Sequence, residues 1–395
     1  MTSEALPRLC YIGDVPVEAS LHGSALLWRL LEDYLPDRLL ILEGKIPSLP
    51  ARRLARVEYA NPHIRGHRLL FSRFQLQVLP HFFRFAGALI GPILHRAEAF
   101  NPGAIVTVAH GFYWQVAAAV AQRLDIPLHL IVHDHVPTTV AEGVEAQVWI
   151  EKAFSEVYAS ARSRLCVSPA MAERYLKWYG ASADVLYPSR ALRAKVFDAP
   201  PTRLGESVKK LTAVFAGSLY QPYAAGMNAL ARILRREGGR LLVFGPADRS
   251  TAGRLGMSGD NIEYRGLIPS GELMAQCRAE ADLLYVPMSF GTAERINTTL
   301  CFSSKLADYT SVGCPLLIHG PAYSSAVRWA RENPTVAEVV DSEESDALEG
   351  ALAALTSPER RVALGREALR VGQTYFSHDR AKALLRQVLV RERTA

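Results

Sequence analysis

The stretch Leu9-Cys10-Tyr11-Ile12, followed by SALLWRLLEDYL over 24–35 and then Arg38-Leu39-Leu40-Ile41-Leu42, decides the fold class. Two short apolar runs flank a segment whose apolar residues recur at helical spacing, the signature of a β-α-β unit with parallel strands. The alternation continues outward. Ala104–Val108 (AIVTV), Leu128–Val132 (LHLIV), Arg164–Val167 (RLCV) and Asp184–Tyr187 (DVLY) read as further strands. Their near-continuous apolarity suits strands covered by helices on both faces.

After a polar, Pro-containing stretch, DAPPTRLGESVKK at 198–210, the pattern starts again, and that stretch reads as an interdomain linker. Strands are expected at Leu211–Ala216, Arg240–Phe244, Ile262–Arg265, Asp282–Val286, Pro315–Ile318 and Ala337–Val340. The fold class is therefore α/β, with two doubly wound Rossmann-like domains in tandem. A chain of 395 residues is also too long for one ordinary core. Open α/β sheets bind ligands beyond the carboxyl ends of their strands, so two such domains are expected to face across a cleft.

Hydrophobic residues make up 49% and charged ones 21%, an ordinary globular composition. No run approaches the roughly 20 apolar residues of a spanning helix, and the start, MTSEALPRLCYIGD, lacks a basic region before an apolar one, so a cytoplasmic protein is expected. Five cysteines stand singly with no C-x-x-C pair, so neither a disulfide framework nor a thiolate metal site is suggested. The net charge of +6 admits an acidic partner: a nucleoside diphosphate, an anionic lipid surface or nucleic acid. Nucleic acid is the weakest, because no recognition motif accompanies the charge. The excess is concentrated in 51–96, where eight arginines face only Glu58. With the apolar segment HRLLFSRFQLQVLPHFFRFAGALIG at 67–91, that region is expected to touch the acceptor or the inner, anionic face of a membrane, or else to form a core helix flanked by solvated arginines.

The segment SSKLADYTSVGCPLLI, Ser303–Ile318, carries the most chemical information. It predicts a helix with a hydroxyl N-cap, a stop at Gly313 and a buried strand after Pro315. Free N–H groups, hydroxyls and Lys305 at a helix start suit a diphosphate. Asp308, one turn on, can accept hydrogen bonds from a ribose diol.

This string resembles the donor-site motif of retaining glycosyltransferases of the family-4 type, which have the GT-B fold. In their pattern, Pro/Ser-Ser-Lys-Leu-x-Glu-Tyr-x-Ala-x-Gly-x-Pro, the acidic residue holds the donor ribose; Asp308 takes that position here, and Gly313 and Pro315 match. The resemblance covers nearly the whole chain. Gly13-Asp14-Val15-Pro16 with His22-Gly23-Ser24 is similar to the first glycine-rich loop, where Gly23 would admit the donor phosphates. Ala109-His110-Gly111 and His133-Asp134 stand at strand ends where the family places side chains over the transferred sugar. Ala216-Gly217-Ser218-Leu219 resembles the first turn of the donor domain, and FSHDRAKALLRQVL its last helix, which crosses back. The implied division is 1–197, an acceptor-side domain; 198–210, linker; 211–374, a nucleotide-sugar donor domain; and 375–395, the returning helix.

Two departures qualify the match. The Arg and Lys-Gly that usually follow the first donor-domain turn are replaced by Tyr220-Gln221-Pro222-Tyr223, which shifts phosphate binding toward Lys305. The paired acid eight residues before the ribose acid falls on Leu300, leaving Glu294 as a substitute and Arg295 as a second phosphate ligand. The resemblance implies sugar transfer from a UDP- or GDP-linked donor to a sugar, lipid-linked or other hydroxyl acceptor, with retention, in bacterial surface polysaccharide or glycoconjugate synthesis. The expected catalytic residues are His110, His133 and Asp134. The expected donor ligands are Gly23, Gly217, Ser218, Glu294, Arg295, Ser303, Ser304, Lys305, Leu306 and Asp308. No cofactor and no metal are expected, since no metal-ligand spacing occurs. A non-catalytic nucleotide-sugar-binding scaffold and a GT-B sugar-nucleotide epimerase are the alternatives.

Overall fold

The computed structural model describes residues 6–19, 22–44, 50–62, 69, 72, 74, 77–78, 81–82, 90–136, 144–219 and 221–390. The chain forms two compact units, one of residues 1–187 with 378–395 and the other of 188–377.

In the first unit seven parallel strands are ordered β3-β2-β1-β4-β5-β6-β7. They are β1 (Leu9–Gly13), β2 (Leu39–Glu43), β3 (Glu58–Ala60), β4 (Ala104–Val108), β5 (Leu128–Val132), β6 (Ser163–Cys166) and β7 (Asp184–Val185). Leu9 pairs with Leu39 on one side and Ala104 on the other, so β1 is central and buried throughout. The helix His378–Leu389 closes this core, with Ala381, Leu385, Val388 and Leu389 packed among Leu27, Leu30 and Leu31 of the helix His22–Leu31. Lys382 forms an ion pair with Asp33.

In the second unit six parallel strands are ordered β10-β9-β8-β11-β12-β13. They are β8 (Thr212–Ala216), β9 (Arg240–Phe244), β10 (Ile262–Gly266), β11 (Leu283–Pro287), β12 (Leu316–His319) and β13 (Ala337–Val340). Its core gathers Ala213, Phe215, Leu241, Val243, Leu283, Tyr285 and Leu317 against Met227, Leu230 and Leu234 of the helix Gln221–Arg236. Truncating one such leucine to alanine costs about 2–5 kcal/mol.

Every strand expected from the sequence is present within two residues at each end. One was missed: β3, three residues long and half exposed at the sheet edge, offers no apolar run to read.

The stretch 198–210, read as a linker, packs instead as part of the second unit, and the chain passes between units at Tyr187/Pro188 and Ser377/His378. Arginines from elsewhere in the unit bind the backbone carbonyls of Ala199, Leu204 and Glu206 within it. Arg278 donates to Ala199 O at 2.9 Å and to Val312 O at 2.7 Å, and buried Arg361 donates to Leu204 O at 3.2 Å and to Thr356 O at 2.8 Å. Arg203 returns the tie, pairing with Asp282 at 3.1 Å. Polar composition here marks backbone bonded by distant arginines rather than a free connector.

Candidate functional site

In the second unit the carboxyl ends of β8, β9 and β10 are each followed or closed by a glycine in the left-handed region: Gly217 (φ 145°), Gly245 (φ 152°) and Gly266 (φ 73°). A Cβ on Gly245 would lie 2.2 Å from Gly217 O, so the first two turns meet backbone to backbone. A Cβ on Gly217 would lie 2.9 Å from Cε and 3.3 Å from Nζ of Lys305. Glycine is thus favoured at 217 by its backbone conformation, and a Cβ there would make the end of the Lys305 side chain move. Ser218 follows, half-buried.

Lys305 begins the helix Lys305–Tyr309, in which Leu306, Ala307 and Tyr309 face the core. Lys305 and Asp308, three residues apart, share the outer, half-buried face. The helix is fixed from below: Tyr309 Oη accepts the Ala216 N–H at 2.6 Å, joining it to the end of β8. The Lys305 ammonium sits 5.1 Å from the centre of the Phe215 ring and 5.2 Å from that of Tyr223. Among the described residues no carboxylate pairs with it. Burial pushes its pKa down to about 8. An ammonium held against two aromatic faces, with no acid beside it among the described residues, is chemically able to receive an anion.

The expected hydroxyl cap is not made. Ser304 occupies the N-cap in helical conformation (φ −63°, ψ −20°) and its side chain caps nothing. The N–H groups of Leu306 and Ala307 donate to Ser303 O and Ser304 O, both at 3.2 Å. The hydroxyls of Ser303 and Ser304 have no intramolecular partner among the described residues. The Leu306 side chain is fully buried in the core, so it offers a ligand no side-chain contact.

Glu294 and Arg295 lie where the short turn Thr292–Glu294 meets the helix Arg295–Leu300. Glu294 is half-buried, and the exposed Arg295 guanidinium lies 4.6 Å over the Tyr323 ring. Leu300 is buried, so no acid stands at that position.

Sequence reasoning passed over His319, at the carboxyl end of β12. Its Nε2 donates to Ser342 O at 3.0 Å and its Nδ1 accepts from Tyr285 Oη at 2.8 Å. That neutral tautomer is fully used, and burial lowers its pKa further. It is a structural histidine.

In the first unit, Asp14 follows β1 and accepts the Phe112 N–H at 2.5 Å and the Tyr113 N–H at 2.9 Å. It thereby serves the start of the helix Tyr113–Leu124, whose own N-cap residue, Phe112, offers no capping side chain. Gly111 (φ 60°) must be glycine, since a Cβ there would lie 2.4 Å from the Asp14 carboxylate. Gly23, in contrast, has among the described residues only Val15 Cγ1 at 3.8 Å in its Cβ direction. His110, exposed, and His133, half-buried, follow β4 and β5, and each is within electrostatic reach of the other. Burial lowers the His133 pKa; the Asp134 charge opposes the shift and His110 adds to it. Next in the chain, His135 is buried with Nδ1 3.0 Å from Tyr175 Oη, and burial takes it down to about 4.

The segment 67–91 lies mostly outside the described residues. Of the arginines of 51–96, Arg53 pairs with Glu43 at 3.6 Å and Arg96 with Glu58 at 3.7 Å, so two of the cations are engaged within the chain. Among the described residues no helix is long and apolar enough to cross a membrane.

No protein-family model and no curated protein matches the sequence. Solved structures do match along nearly its full length. HepE of Anabaena, in complex with UDP and glucose, is 12% identical with a TM-score of 0.67, covering 96% of this chain and 98% of that one. The sucrose-phosphate synthase of Thermosynechococcus elongatus is 16% identical with a TM-score of 0.67, covering 96% and 97%. The α,α-trehalose 6-phosphate synthase of Burkholderia multivorans is 13% identical with a TM-score of 0.64, covering 97% and 96%. What is shared at these identities is architecture, and with its two parallel sheets of seven and six strands the chain has the fold of the GT-B glycosyltransferases.

Proposed function

We propose that this chain is a glycosyltransferase that moves a sugar from a nucleoside diphosphate to an acceptor hydroxyl. The observation that carries the proposal is Lys305: an ammonium half-buried between Phe215 and Tyr223, without a carboxylate partner among the described residues, at the Gly217 turn that ends β8. Such a group supplies fixed positive charge where negative charge grows as a diphosphate leaves, which is where such a reaction needs most stabilisation. The binding of UDP and glucose by HepE, a protein of the same fold, supports the reading.

In the proposed reaction the bond from the anomeric carbon to the diphosphate oxygen breaks and a bond to the acceptor oxygen forms on the same face. The acceptor proton passes to the departing diphosphate. Lys305 and the Ser303 and Ser304 hydroxyls hold the diphosphate, Asp308 the ribose diol, and Gly217 and Ser218 form the turn against the phosphates. Glu294 and Arg295 are assigned to the donor sugar and phosphate, and Gly23 to backbone approach by the donor. Acceptor-side work, orienting the sugar or acceptor, is assigned to His110, His133 and Asp134 of the first unit. Lysine neutralisation of the diphosphate makes a metal unnecessary in this scheme. Surface polysaccharide or glycoconjugate synthesis, in the cytoplasm or at the inner membrane face, is the proposed setting.

A thermal-shift panel of UDP, GDP, UDP-sugars and GDP-sugars tests the reading, because a ligand bound only by the folded state raises the midpoint by mass action. One base series is expected to raise it. A flat response across the panel would remove the proposal.

A further inference from the structure

The helix Lys305–Tyr309 is only five residues long and cannot hold its own orientation by internal hydrogen bonds. Its carboxyl end is held by Arg190, which is 2% exposed. Nε of Arg190 donates to Ala307 O at 2.9 Å, Nη2 to Thr310 Oγ1 at 2.9 Å and Nη1 to Gln373 Oε1 at 3.1 Å. Thr310 Oγ1 in turn donates to Leu306 O at 2.7 Å. The backbone N–H of Arg190 donates to Phe376 O at 2.9 Å.

We propose that Arg190 is a positioning residue for Asp308, setting the carboxylate to receive the ribose diol of a nucleoside diphosphate; this rests on the donor reading above. Three observations carry it. First, among the described residues the acceptors of the guanidinium are all neutral, although a buried cation is costly without a compensating charge. The carbonyl that Nε holds belongs to Ala307, the residue immediately before Asp308; burial lowers the arginine to about 10 and the Asp308 charge resists the shift. Second, Thr310 and the guanidinium are packed together against the helix Pro358–Phe376: a Cβ on Gly372 would lie 2.3 Å from Thr310 Cβ and Oγ1 and 2.4 Å from Nη2 of Arg190. Third, Arg190 follows one passage of the chain between units, at Tyr187/Pro188, and Gln373 and Phe376 precede the other, at Ser377/His378. One guanidinium thus joins both passages, on their second-unit side, to the helix that carries Asp308.

The test separates positioning from general structural support. UDP, GDP, their 2′,3′-dideoxy counterparts and the free nucleosides are titrated by calorimetry into wild type, R190K, R190M, D308N, the R190K/D308N double variant and R361M. Arg361 is the control because it too is fully buried and bonded to backbone carbonyls, but at Leu355, Thr356 and Leu204, away from Asp308. Wild type is expected to prefer the ribose form of one base, and R190K and R190M to lose roughly tenfold of that preference, the scale of coupling between neighbouring residues. The preference for diphosphate over nucleoside should persist in both. R190K should add nothing in the D308N background, and R361M should melt earlier yet keep both preferences. R190K decides the matter if R190M does not fold. Retention of the wild-type diol preference by R190K, or equal loss of both preferences, overturns the inference alone. Failure of wild type to bind UDP or GDP overturns it together with the donor reading.

Discussion

Replacing Lys305 with methionine should make the unliganded protein more stable and the liganded one weaker, and the structure sets both magnitudes. The lysine's fall from 10.5 to about 8 arises from burial, so at neutral pH the charged form is held at a penalty of at most about 3 kcal/mol. Partial exposure and the contacts to Phe215 and Tyr223 reduce what Lys305→Met can recover to roughly 1 kcal/mol. For a unit of this size that is roughly 2–4 °C in midpoint. Because the folded-state value lies below the unfolded one, the penalty is fully present below about pH 8 and disappears as pH rises from there toward 10.5. The gain from the substitution should therefore shrink over that same interval. Diphosphate binding runs the other way: a charge-assisted contact of roughly 1.5–3 kcal/mol is lost, about 10-fold to 150-fold in affinity, while the free nucleoside is unaffected. Wild-type affinity for the diphosphate should also fall as pH rises past the lysine's titration. Scanning fluorimetry over pH 6–10, with and without UDP or GDP, and calorimetry at pH 7 provide the readouts. A K305M protein that melts earlier than wild type, or binds the diphosphate within twofold of it, refutes the reasoning.

Three further outcomes follow from the same geometry. Gly217→Ala places a methyl 2.9 Å from Lys305 Cε at a positive φ, so it should cost roughly 1–3 kcal/mol by denaturant titration and weaken diphosphate binding together with stability. Tyr309→Phe leaves the Ala216 N–H without its acceptor and should cost roughly 1–3 kcal/mol; calorimetry should find diphosphate affinity reduced although Tyr309 itself is buried. Asp14→Ala removes the acceptor for the Phe112 and Tyr113 N–H groups and should destabilise by roughly 0.5–2 kcal/mol with no change in nucleotide affinity, read by the same two methods.

The strands were legible because a covered parallel strand is a continuous apolar run, and β4, β5, β9 and β13 begin and end where those runs do. Lys305 and Asp308 were singled out because the motif carries residue types whose chemistry fits a diphosphate and a diol, and the structure sets both on one half-buried helix face. What escaped the sequence is contact made at long range. Asp14 serves N–H groups 98 and 99 residues away, Arg190 holds a carbonyl 117 residues away, and the carbonyl of Leu204 meets Arg361 across 157. None leaves a periodic trace, and the last of these is why 198–210 reads as a linker and is not one. The Ser304 cap failed for a local reason: the helix is one turn long, and its first carbonyls take the N–H bonds a hydroxyl would have taken. His135 and His319 carried no signal either, since a histidine satisfied by a buried tyrosine looks in sequence like one poised for chemistry.

The central claim, sugar transfer from a nucleoside diphosphate through Lys305, is tested most directly by following nucleoside diphosphate release from UDP-sugars and GDP-sugars, with and without a panel of hydroxyl acceptors, in wild type and K305M, with the product's anomeric configuration read by NMR. The account predicts acceptor-dependent release from one donor, a product of unchanged anomeric configuration, and a large loss of rate in K305M. Release equal in wild type and K305M, isomerisation of the donor without acceptor, or binding of a donor with no turnover across the panel would contradict it.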